Sequence, residues 1–190
     1  MMKQMMCATA LICAAPMAMA NDYEPSMRGY LQKEVTTWIN APVLIEAIRA
    51  QNIRFKNMSP SDIDRLDKKW RAEIGSAQHP TIDGVISNAA ADFLRARQAA
   101  AAGVISEIFV MDHLGLNVAA SDTTSDYWQG DEAKFQQSFG VGRDAIHVGE
   151  VEFDESTQSY LGQISMSISD PDTGVLIGAI TIGLNAEMLF

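Results

Sequence analysis

The sequence predicts an α+β domain, with a helical region over residues 21–102 followed by a single antiparallel sheet of about five strands over residues 103–190. Three observations predict it. Apolar residues in the first half recur at helical spacing. Short β-rich runs separated by turn residues fill the second half. The change of character falls at Gly103, a residue suited to ending a helix.

In the first half, Leu31, Val35, Trp38, Ile45 and Ile48 form one stripe. Asn40 and Pro42 interrupt it, and a break is expected there because proline cannot donate to the preceding turn. The next helix starts clearly: Ser59 is a good N-cap, Pro60 suits the first helical position, and Asp62 stands three residues after the cap. Ile63, Leu66, Trp70 and Ile74 are its expected buried stripe. A third helix is expected from about Ile82 through Ile86, Ala90, Phe93 and Leu94, ending at Gly103. In the second half, Ile105–Asp112 and Leu116–Ser121 read as a hairpin around "HLG". Glu132–Phe139 reads as a short helix, and Ile146–Phe153, Tyr160–Ser169 and Val175–Leu184 read as strands.

The first 20 residues have the pattern of an export signal. Lys3 precedes an apolar run, and Ala18-Met19-Ala20 suits cleavage before Asn21. The run is short for a membrane span, which needs about 20 residues. Both cysteines, Cys7 and Cys13, lie inside it, so the exported chain is expected to use neither disulfide nor thiolate. The net charge of −10 becomes one unit more negative when Lys3 leaves. That field disfavours nucleic acid and anionic membrane surfaces. A periplasmic or secreted product without stable membrane insertion is expected.

Two features suggest a site. Along Tyr160–Ser169, side chains alternate: Ile164, Met166 and Ile168 share one face, while Gln163, Ser165, Ser167 and Ser169 share the other. The hydroxyl row either faces solvent or lines a cupped pocket. The second feature is "SDTTSDYWQGDE", Ser121–Glu132, with four acids, no base and adjacent aromatics. Asp131 is expected to cap the helix that follows, where an acid gains ~0.3–1 kcal/mol from the helix dipole. Tyr127 and Trp128 either fill the core below or wall a pocket. With carboxylates nearby, aromatic walls suit a cationic or amine ligand. Asp122, Thr124 and Asp126 have calcium-loop spacing, but Tyr127 stands where glycine is needed and Ala133 where the bidentate glutamate belongs. No metal or cofactor is expected. The three histidines are dispersed, and no hydrolase, nucleotide or zinc motif is present.

Together, "IFVMDHLGLNVAASDTTSDYWQGDEAKF" and "GQISMSISDPDTGVLIGAITIGLN" resemble a Cache domain, the PAS-like extracytoplasmic sensor module of bacterial receptors, over roughly Leu31–Asn185. The resemblance implies long N-terminal helices packed on one face of a twisted antiparallel sheet. It also implies a small ligand, such as an amino acid, short carboxylate or amine, on the other face beneath a cap, here Thr124–Phe139. The residues it nominates for ligand contact are Asp112 and Ser121 of the "D-x-x-G-x-x-x-A-x-S" hairpin, Asp126, Tyr127, Trp128, Gln129 and Asp131 of the cap, and Ser165, Ser167 and Ser169 of the strand. An arginine that amino-acid-binding relatives often carry in the cap is absent from "SDTTSDYWQGDE". With the chain ending at Phe190, output is expected through a partner, such as a membrane-bound sensor or receptor. The expected function is therefore a non-enzymatic, exported binding module. The alternatives are an interaction module with a vestigial pocket, and a periplasmic hydrolase using a carboxylate pair such as Asp126 and Asp131.

Overall fold

The structure, a computed structural model, describes residues 22–155 and 157–190. The export signal and its cleavage site lie outside the described residues. Six α-helices precede or interrupt five strands: α1 Glu24–Lys33, α2 Pro42–Phe55, α3 Pro60–Glu73, α4 Pro80–Ile86, α5 Ala89–Ala100, β1 Ile105–Met111, β2 Asn117–Ala120, α6 Ala133–Gln136, β3 Ile146–Asp154, β4 Ser159–Ser169 and β5 Leu176–Asn185. The sheet is antiparallel throughout, in the order β2-β1-β5-β4-β3.

The break expected near Asn40 is present: α1 ends at Lys33, a 3-10 turn covers Val35–Thr37, and α2 starts on Pro42. At the start of α3 the Ser59 hydroxyl accepts the Asp62 N–H while the Asp62 carboxylate accepts the Ser59 N–H, the reciprocal capping box. Two expectations fail. Ile74 is not buried, because α3 ends at Glu73 and Ile74 adopts extended backbone with its side chain about half exposed. The third helix is two helices. Asn88 splits it, accepting the Ala91 N–H as cap of α5 while its amide donates to Gly84 O, Val85 O and Val118 O. A side chain that offers the backbone so many alternative bonds terminates one helix and starts the next.

The sheet divides the core in two. Helices α1, α2 and α5 cover one face, where Leu31, Ile45, Ile48 and Leu94 pack with Ile108, Val110, Ile164 and Ile182. On the other face lie α3, α4 and α6, with α4 against β2 and α6 against β3 and β4. There Trp70, Ile82, Val85 and Phe135 pack with Phe109, Met111, Ala120 and Ala179. The central strand β5 is consequently apolar on both faces, as expected of a strand covered on both sides.

Candidate functional site

Register brings the site's floor together. Asn117, Met111, Ala179 and Ser167 are cross-strand partners on four consecutive strands, and Phe109, Thr181 and Ser165 form the next row on the same face. The serine face predicted from alternation is therefore real, and it is enclosed. Ser165 and Ser167 are buried, so the solvent-facing reading of the row fails for them. Ser165 and Thr181 share a hydroxyl–hydroxyl bond of 2.9 Å. The Ser167 and Ser169 hydroxyls are buried with no hydrogen-bond partner. Across the row, Asn117 Oδ1 is also unpaired. Its amide orientation is set, because Nδ2 donates to the Asp126 carbonyl oxygen, which can only accept.

The cap is held from below by residues that the sequence reading missed. The Asp67 carboxylate, buried on α3, accepts both the Tyr127 N–H at 3.0 Å and the Trp128 N–H at 3.1 Å, and pairs with Arg71. The Tyr127 ring stacks on Trp70, whose indole N–H donates 2.8 Å to Thr124 O. Trp128 donates its indole N–H 2.8 Å to Leu114 O, closing the cap onto the β1–β2 turn. Gly115 and Gly130 cross there: a Cβ on Gly115, itself at φ +82°, would meet the Gly130 Cα at 2.6 Å. The Asp67 signal was present in the sequence. It lies on the Ile63–Trp70 stripe of α3, where a carboxylate at a buried position demands partners.

Several nominated residues serve the fold. Asp112 is wholly buried. Its Oδ1 accepts the Leu114 and Leu116 N–H groups and its Oδ2 accepts the Gln51 amide, while burial pushes its carboxyl above the ordinary range. Ser121 closes the β1–β2 pair through bonds to both backbone groups of Ile108. Gln129 is buried between Gly115 O, Asp126 O and the Lys134 ammonium. The Asp126 carboxylate is bound by Ser125 and Arg71. Asp131 is exposed and does not cap α6. That helix begins two residues later, and Glu132 occupies the cap position without a side-chain bond, pairing with Lys134 at 3.0 Å. Tyr127 and Trp128 fill the space below the cap; the structure does not bring them together with the β4 serines as one set of contacts. What α6 does bring toward the serine face is Lys134, largely buried, its ammonium 5.4 Å from the Phe109 ring.

Among the described residues, no group of three His, Asp or Glu side chains is placed to hold a metal ion, and no helix is long and apolar enough to cross a membrane.

An antiparallel five-stranded sheet in the order β2-β1-β5-β4-β3, between helical layers and with a cap closing over one end, is a PAS-like α+β architecture. No protein-family model matches the chain, and no curated protein matches it. Among solved structures it is similar to the ligand-binding domain of Campylobacter jejuni chemoreceptor Tlp3 in complex with 4-methylisoleucine, at a TM-score of 0.40 and 11% identity over 88% of this chain and 61% of that one. It is similar to the ligand-binding domain of the Pseudomonas aeruginosa amino acid chemoreceptor PctC in complex with GABA (TM-score 0.39, 13% identity, 89% of this chain and 62% of that one). It is also similar to the V. cholerae histidine kinase DctB sensor domain (TM-score 0.38, 15% identity, 77% and 57%). The chain spans about three fifths of the length of these solved chains.

Proposed function

We propose that the chain is an extracytoplasmic sensor module that binds a small polar ligand beneath its cap and acts through a partner protein, without catalysing a reaction. The observation that carries the reading is the pair of buried, unpaired hydroxyls on Ser167 and Ser169. They stand two residues apart on one face of β4, about 7 Å along the strand. Buried polar groups are nearly always satisfied, and an exception calls for a partner. A ligand hydroxyl, able to donate and accept, or an ammonium, donating to the hydroxyl oxygens, meets that need. The cap acids Asp126 and Glu132 and the buried Asp67 and Asp112 are already engaged. Recognition of an amine therefore rests on the hydroxyl row rather than on a free carboxylate. Mass spectrometry of small molecules released from natively purified protein tests the reading. A ligand is expected in wild type and absent from the Ser167→Ala/Ser169→Ala variant. Release of nothing from wild type, with no thermal shift across amines, polyols and amino acids, would overturn it.

A second reading, an interaction module with a vestigial pocket, is favoured by the stacking of Tyr127 on Trp70, with ring centroids 5.4 Å apart. It predicts that the same serine variant is empty and more stable than wild type. The hydrolase reading has no such support, because Asp126 is held by Arg71 and Asp131 points to solvent.

A further inference from the structure

A groove of about 410 Å³ runs between α2, α3 and α4, and Tyr127 reaches it from the cap. None of the β4 serines lines it. Tyr127 is only 4% exposed, and its hydroxyl makes no hydrogen bond with any described residue. Tyr127 itself is one of the residues lining the groove. The apolar walls are supplied by Met58, Leu66 and Val85.

Arg54 lines the same groove and, like Arg97 and Arg143, is held by no carboxylate among the described residues. Arg28, Arg49, Arg65, Arg71 and Arg95 are each held by a carboxylate. Arg54 forms no ion pair among the described residues, although the chain carries a net charge of −10. Its guanidinium rests 4.5 Å from the Phe55 ring and donates one long bond, 3.3 Å, to Gln51 Oε1. Most of its five N–H donors are left without a protein partner. The nearby Asp112 charge opposes an anion, but Gln51 and two backbone N–H groups already answer it.

We propose that this groove is a second binding site, separate from the serine face, for a small carboxylate with an apolar body. Arg54 binds the carboxylate through paired N–H donors, the geometry in which guanidinium and carboxylate match best. The Tyr127 hydroxyl donates to the same group. Met58, Leu66 and Val85 take the apolar body, the usual division of labour in a small-molecule site. Because Tyr127 belongs to the cap, an occupant of this groove also holds the cap down.

Backbone amide shifts in a titration of ¹⁵N-labelled protein with benzoate, and with benzylamine as a charge-reversed control, test the proposal. Benzoate is expected to give saturable shifts at Gln51, Thr81 and Gly84, with benzylamine giving none. Arg54→Gln is expected to weaken binding at least tenfold, and Tyr127→Phe, which keeps the stack on Trp70, several-fold. Gly84→Leu adds a side chain at the groove wall, where a Cβ meets no heavy atom within 4 Å; it is expected to weaken binding at least tenfold. Ser167→Ala is expected to leave benzoate binding unchanged, which separates this site from the one beneath the cap. The absence of benzoate shifts, equal binding of benzylamine, or binding left undiminished by Arg54→Gln or Gly84→Leu overturns the proposal.

Discussion

The Asp67 carboxylate accepts the backbone N–H groups of Tyr127 and Trp128, sixty residues away in sequence, with one oxygen at 3.0 and 3.1 Å. Through that pair of bonds the cap is fastened to α3 rather than to the sheet it covers. Asp67→Ala removes the acceptor and leaves both N–H groups and Arg71 without it. A loss of about 3 kcal/mol is expected, read as a lower urea midpoint. A variant within 0.5 kcal/mol of wild type would show that the cap does not depend on this residue.

Trp70 has two separable roles at the same place, a ring under Tyr127 and an N–H to Thr124 O. Trp70→Phe keeps the ring and is expected to cost about 1 kcal/mol, the net worth of a hydrogen bond, plus some lost packing. Trp70→Ala opens a cavity and is expected to cost about 3–5 kcal/mol. Equal losses in the two variants would mean that the hydrogen bond, not the ring, holds the cap.

Gly130 sits where the cap crosses the β1–β2 turn, and a Cβ there would run into the Trp128 indole and Leu114 O. Gly130→Ala is expected to break the Trp128–Leu114 bond at a cost of about 1–3 kcal/mol. A red-shifted Trp fluorescence at unchanged sheet content is the expected signature; an unchanged spectrum would contradict the close approach.

Arg49 ties α2 to the β4–β5 turn through Asp170, with bonds of 2.6 and 2.5 Å, and through Asp172. The Arg49 guanidinium holds the Asp170 carboxyl well below the usual carboxylate range. A depressed folded pKa gives stability that is present above the unfolded value, near 4, and lost as pH falls. Arg49→Met is therefore expected to lower stability at pH 7 and to flatten its decline below about pH 4. Buried Asp112 acts in the opposite sense: its raised pKa makes stability fall as pH rises from the ordinary carboxylate range to the raised value. Urea midpoints measured from pH 2 to 7 distinguish the two, since Arg49→Met that keeps the full acid dependence would remove Asp170 from the account.

Part of this structure was legible because its causes are local. The capping box needs Ser59 and Asp62 three residues apart, and both are adjacent in any helix that starts at Pro60. The serine face of β4 follows from a two-residue period that any strand imposes. Other features were misread for lack of partners in view. The helix expected over 82–102 divides at Asn88 because its amide finds Val118 O on the neighbouring strand as well as its own turn. Asp131 was assigned a cap that α6, starting at Ala133, does not need. Asp112 looked like a ligand contact and instead supports a turn.

The sequence by itself determined the class of fold, the strands and their faces, and the absence of cysteine chemistry from residues 21–190. These depend on periodicity and composition, which the chain carries along its own length. Tertiary structure alone decided which polar groups are spent and which are left over. Asp67 is consumed by the cap, whereas the Ser167, Ser169 and Tyr127 hydroxyls have no partner among the described residues. Satisfaction of a buried polar group depends on what lies within about 3 Å of it in space, and neither spacing nor composition contains that distance.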